Sequence, residues 1–252
     1  MSYVPAQALV PQLDTALNGT GTCVAGNESA TTTLSTPSCV VPAGDFVIIT
    51  MTAVRNAQTI TPSDTVGDTF LLANGTAAGT TSCYQHFDNT ESGGTGEVAI
   101  FYIASAKGGS PNVFTNTPAA SASLEIHVSA WKNMAGWTPD QCITSGATTG
   151  GLSYNSGSRT TLFDGELIFG YTFPLGSSSA GSGFTALSFV NGDTDEYQLQ
   201  STAGSVSATS TSDSSANWLA TMVTFAAPPN PPAPPALAPT LFAENIPLLT
   251  TR

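Results

Sequence analysis

Between about residues 29 and 227 the chain reads as short apolar or alternating runs, separated by clusters of Gly, Asn, Asp, Ser and Pro. That pattern predicts many strands joined by turns. Strands are expected over 46–54, 69–73, 97–104, 124–131, 166–173, 184–190, 197–200, 206–210 and 218–226. No segment has the spacing of an amphipathic helix. Phe46-Val47-Ile48-Ile49 and the run from Val98 to Ile103 are continuously apolar, which predicts central strands covered on both faces. Residues 124–131 alternate instead, with Leu124, Ile126, Val128 and Ala130 against Glu125, His127 and Ser129. His127 is therefore expected on a polar face, as a surface or interface residue, and Trp131, out of phase with the apolar side, as exposed. His86 is expected at a loop or strand end.

The pattern also echoes itself. Gly44-Asp45-Phe46-Val47-Ile48-Ile49 resembles Gly165-Glu166-Leu167-Ile168-Phe169-Gly170, and each half closes with an aromatic-bearing strand, 124–131 and 218–225. The body, 29–227, is expected to be an all-β antiparallel sandwich of jelly-roll-like packing. Two similar halves, about 29–140 and 141–227, are its expected internal division. Residues 1–28, with Pro5, Pro11 and Gly-Thr repeats, read as an extended N-terminal arm. Seven of the twelve residues 228–239 are proline, and each proline removes a backbone donor and fixes φ. This stretch reads as a polyproline linker reaching roughly 37 Å at about 3.1 Å per residue. It leads to a tail, 240–252, whose Leu241, Phe242, Ile246, Leu248 and Leu249 form an apolar docking plug. Pro247 favours a docked extended segment over a full donated strand.

Charge narrows the partners. Only 9% of the 252 residues are charged, against about 25% in ordinary domains, and five basic residues face seventeen acidic ones for a net charge of −12. Lys and Arg form no cluster, so nucleic acid and anionic membrane surfaces are not expected partners. No apolar run reaches the roughly 20 residues that cross a bilayer, so no membrane insertion is expected. The N-terminus lacks the basic and apolar regions of a secretory signal, and assembly inside the producing cell is the expectation. Cys23, Cys39, Cys83 and Cys142 allow three pairings. Cys23–Cys39 with Cys83–Cys142 is preferred, and four buried reduced thiols are the alternative.

Candidate chemistry is sparse. No G-x-S-x-G elbow occurs, and the serines lack a His/Asp partner pattern, so no catalytic residue and no enzyme activity are expected. No cofactor is expected apart from calcium, for which Asp193, Asp195 and Glu196 in an acidic turn are candidate ligands; a solvated turn is the plainer reading. Trp131, Trp137 and Tyr154 are candidates for stacking on sugar rings, against packing in a core or interface.

Ala43-Gly44-Asp45 before an apolar strand, Asp64-Thr65-Val66-Gly67-Asp68-Thr69-Phe70, Phe101-Tyr102-Ile103-Ala104 and Ser215-Ala216-Asn217-Trp218 together resemble a β-sandwich module of secreted bacterial and phage-associated structural proteins. The resemblance spans residues 29–227 and leaves both arms outside it. It implies a fold and no transferable catalytic residue. Together with the arms, the expectation is a non-enzymatic structural subunit of a large assembly, foremost a phage virion protein such as a capsid decoration or head/tail fibre at the virion surface. Its partners would be other copies of itself and a capsid protein. The alternatives are an extracellular filament or surface adhesin subunit, with a filament protein as partner, and a secreted carbohydrate-binding module that takes surface glycans.

Overall fold

The computed structural model describes residues 9–54, 59–75, 83–89, 94–174 and 177–228. The terminal segments 1–8 and 229–252 lie outside the described residues, and with them the polyproline linker beyond Pro228 and the docking plug. The described residues are all-β, in several antiparallel sheets, and Leu9–Pro228 form one compact unit.

The first large sheet centres on strand Phe46–Val54, every residue of which is buried. One neighbour is Ala122–Lys132 and the other is Gly94–Ile103. Gln12–Leu13 and Thr22–Thr31 add outside Ala122–Lys132. Leu71–Leu72 and Tyr84–Asn89 add outside Gly94–Ile103. Residues 12–28, expected as arm, are thus part of the body from Gln12 onward. Thr22–Thr31 finds its place because a long partner strand offers a full ladder of backbone groups, which outweighs the weak β propensity of its Gly and Asn.

The second large sheet centres on Leu167–Pro174, flanked by Thr209–Ala226 and Asp193–Leu199. Thr138–Asn155 lies outside Thr209–Ala226, and Thr185–Val190 lies outside Asp193–Leu199. Ser178–Ala180 extends the Leu167–Pro174 side of Thr209–Ala226. The two sheets therefore share one strand order. In each, the earliest strand of the half is outermost, the last strand lies next to it, then the central strand, then two strands that fall between the central and last ones in sequence, the later of them adjacent to the central strand. Register repeats as well: Trp131 pairs with Phe46, and Phe225 with Leu167, at the same corner.

Strand side chains alternate between faces, and here both faces of the first sheet are used. Val47, Ile49 and Met51 join Leu124, Ile126 and Val128 in one core, with Phe114 and Leu34 from a small sheet formed by Leu34–Ser35, Ile60–Asp64 and Phe114–Pro118. Phe46, Ile48, Ile100 and Trp131 face the other way and share a core with Leu167, Phe169, Val223 and Phe225 of the second sheet. Phe46 and Phe225 meet edge to face at 5.2 Å. The structure pairs Cys23 with Cys39, and Cys83, just before strand Tyr84–Asn89 of the first large sheet, with Cys142 in strand Thr138–Asn155 of the second.

Candidate functional site

The same alternation that buries the apolar stripe of Ala122–Lys132 sends Glu125, His127 and Ser129 toward the second sheet instead of solvent. His127 is 0% exposed, which corrects the surface position expected for it. Its register partner Thr50 stands beside it on the central strand.

The facing residues come from an element the sequence disguises. Asn191 and Gly192 both adopt positive φ, 49° and 107°, and close a two-residue hairpin in which Val190 pairs with Asp193. Asn-Gly is the favoured pair for such a turn because its two central residues must take left-handed backbone. The turn thus ends at Gly192. Asp193, Asp195 and Glu196, expected on an acidic turn, lie in strand Asp193–Leu199 and are buried.

Between the sheets these residues form one polar cluster. His127 Nδ1 lies 2.8 Å from Ser188 Oγ and 3.3 Å from Asp195 Oδ2, while Nε2 lies 3.5 Å from Glu125 Oε2. Ser188 Oγ donates to Asp195 Oδ2 at 3.1 Å, and Thr50 Oγ1 donates to Asp195 Oδ1 at 3.4 Å. The Tyr171 hydroxyl donates to Asp193 and lies 3.5 Å from Glu125 Oε2. Burial opposes a charged imidazole, yet Asp195 first and Glu125 second outweigh it and push the His127 pKa up to about 10. Burial and the neighbouring Glu125 carboxyl push Asp193 well above the usual carboxylate range, and Asp193 hydrogen-bonds Glu125. Burial pushes the Tyr171 hydroxyl well up too.

This geometry fixes what the cluster can do. Ser188, His127 and two carboxylates resemble the parts of a nucleophile relay. A base must be neutral to take the serine proton, and His127 is held as a cation at neutral pH. Ser188 Oγ instead accepts from the imidazolium and donates to Asp195, so its lone pairs and proton are both engaged. The arrangement is an ion pair built into an apolar interior, with every charge facing a partner.

The other candidate residues fall elsewhere. Asp193 and Asp195 face the first sheet, whereas Glu196 turns to the opposite face, where Gly181 N–H donates to its Oε2 at 2.7 Å. The three carboxylates do not converge on one point as calcium ligands must, and among the described residues no group of three or more His, Cys, Asp or Glu is arranged to hold a metal ion. Trp131, Trp137 and Tyr154 are all buried, which corrects their expected role as sugar-stacking platforms. Trp131 Nε1 donates to Ser129 Oγ at 2.9 Å and its ring meets Tyr197 at 4.9 Å. Trp137 packs in the core between the two large sheets, and Tyr154 lies against Trp218 at 5.2 Å. His86 lies within strand Tyr84–Asn89, opposite Glu97.

Tyr171, Ser188, Glu125 and Thr50 were not picked out from the sequence. The signal available for them was two polar stripes of period two, Glu125-His127-Ser129 and Asp193-Asp195, in a chain with few cations to pair them otherwise. Comparison with family models, curated proteins and solved structures gives no match for this chain.

Proposed function

We propose that the chain is a non-enzymatic structural subunit of a large assembly, a phage virion protein of the capsid-decoration or head/tail-fibre kind, with a body of two β-sheets packed as a jelly-roll-like sandwich. The observation that carries this reading is the C-terminal sequence: seven prolines in residues 228–239, then Leu241, Phe242, Ile246, Leu248 and Leu249. A stiff polar-poor spacer with an apolar end suits a latch onto a neighbouring subunit or a capsid protein. Each apolar side chain contributes about 1.5–3 kcal/mol when buried, before the cost of ordering the segment. The body supports the reading through its polar, weakly charged composition and its two disulfides, which brace a particle outside the cell. Its buried polar cluster is occupied with its own ion pairs, consistent with a structural role.

The disulfides also favour a second reading, an extracellular filament or adhesin subunit, because such bonds persist in oxidising compartments. In that case the partner is a filament protein and the location is the cell surface.

Sedimentation velocity on the full chain tests the latch. Leu241→Asp with Phe242→Asp and Leu248→Asp is expected to abolish self-association or particle binding while the circular-dichroism spectrum and melting temperature stay unchanged. Undiminished association by the triple variant overturns the role given to the tail.

A further inference from the structure

The shared strand order of the two large sheets extends to a pair of acids. In the first half, Gly44 takes φ 89° and Asp45 follows, leading into Phe46–Val54; in the second, Gly165 takes φ 81° and Glu166 follows, leading into Leu167–Pro174. An added Cβ at either glycine would meet nothing within 4 Å, so the requirement there is the backbone conformation and not space. The backbone bonds repeat. Gly44 N–H donates to Ala106 O and Ala106 N–H to Asp45 O; Gly165 N–H donates to Gln200 O and Gln200 N–H to Glu166 O.

Each of these acids meets a second carboxyl from the outermost strand of its half. Leu13 pairs with Trp131, and the next residue, Asp14, hydrogen-bonds Asp45. Pro139 pairs with Phe225, and the next residue, Asp140, hydrogen-bonds Glu166. Two carboxyls hydrogen-bond each other only when one carries a proton. Asp14 Oδ2 and Asp45 Oδ2 are both buried and have no amide, hydroxyl or ammonium partner, so a shared proton is what satisfies them. The surroundings differ in one respect. Lys132 Nζ lies 2.7 Å from Asp14 Oδ1 in the first pair. In the second, neutral Gln141 Nε2 donates to Asp140 Oδ2 at 3.2 Å, Leu162 N–H donates to the same oxygen at 3.2 Å, Phe163 N–H donates to Glu166 Oε1 at 3.0 Å, and the Thr224 hydroxyl bonds Glu166.

We propose that Asp14–Asp45 and Asp140–Glu166 are duplicated proton-sharing clasps. Each ties the outermost strand of its half to the start of the central strand, across the end of the strand between them, and slackens as the medium passes from mildly acidic to neutral. Burial, then the partner carboxyl, raises Asp45 to about 7; burial raises Glu166 to about 7, and the charge of Asp140 adds to this. A raised carboxyl prefers its protonated form in the folded chain. Its stabilisation is complete below the ordinary values of 3.8 for Asp and 4.5 for Glu, and is lost as pH rises through about 7. Asp14 runs the opposite way: burial opposes its charge, but Lys132 and the Asp45 proton lower its pKa, so its contribution fades only in stronger acid. The body is therefore tightest in mild acid. With no ammonium among the described residues bonded to Asp140 or Glu166, the second clasp is the more pH-sensitive of the two. This inference is independent of the assembly proposed above.

Calorimetric melting of the full chain from pH 4.5 to 8.5 tests it. The melting temperature is expected to fall by about 5–10 °C as pH rises toward 7. Glu166→Gln, which keeps a hydrogen-bonding side chain without the ionisation, is expected to flatten the profile and melt above the parent at pH 8. Asp45→Asn is expected to act in the same direction and more weakly. Asp213→Asn, at an exposed acid, is expected to leave the profile unchanged. Carbon-13 carboxyl titration of the parent is a second measure that does not depend on any variant folding, and at least one carboxyl resonance is expected to titrate near pH 7. A parent profile flat across this range, a Glu166→Gln profile that tracks the parent, or carboxyl resonances that all titrate below pH 5 overturns the clasp.

Discussion

His127 is the residue whose role the interior changes most. Its strand alternates apolar and polar, and alternation alone assigns the polar face to water. The second sheet covers that face instead, so Glu125 and His127 need partners among Tyr171, Ser188, Asp193 and Asp195 to offset their burial. Removing the cation leaves the buried Asp195 and Glu125 carboxyls without an opposite charge. His127→Gln is accordingly expected to lower stability by about 3–5 kcal/mol at pH 7, read from the midpoint of urea unfolding. The pH dependence has a definite sign. With its pKa at about 10, against the ordinary 6.5, the imidazole contributes fully below pH 6.5 and its contribution is lost as pH rises through about 10. The parent should therefore lose stability between pH 7 and 10.5 in a way that His127→Gln does not; equal slopes for both proteins would refute the ion pair. Trp131 follows the same logic, since its out-of-phase position is the inter-sheet face and its indole N–H is met by Ser129.

Among the elements, legibility tracked apolar continuity. The strand 46–54 was readable to the residue because nine residues without a breaker admit one interpretation, and Phe46–Val54 is the strand observed. Thr138–Asn155 was invisible: Pro139, Gly146, Gly150 and Gly151 read as loop residues. They are tolerated because this strand is the sheet's outer one, pairs on one side only, and takes its irregularity as register shifts at Pro139/Cys142 and around Gly151. The acidic segment after Asn191-Gly192 was misread for a related reason, because a two-residue hairpin uses fewer polar residues than composition suggests. The likeness between 44–49 and 165–170 was legible as sequence, while the common strand order needed the pairing partners. The element that joins the two large sheets covalently is Cys83–Cys142, which closes a separation of 59 residues. Loop entropy for such a closure is about 4 kcal/mol. Cys83→Ala with Cys142→Ala is expected to lower stability by about 2–4 kcal/mol in denaturant titration, and a midpoint identical to the parent's would show that the core between the sheets needs no such tie.

At the scale of the whole molecule, a disulfide-braced all-β body is followed in sequence by a chain end of different chemistry. The body buries His127 and engages the polar cluster around it, binds its four cysteines in two disulfides, and repeats one strand order in two sheets. The proline-rich stretch and its apolar plug are where the proposed assembly function resides. Truncation after Ala227, with association measured by sedimentation velocity and folding by melting temperature on the same sample, addresses that claim directly. A truncated chain that melts as the parent does and no longer self-associates or binds its particle is the predicted result; a truncated chain that associates as well as the parent contradicts the account.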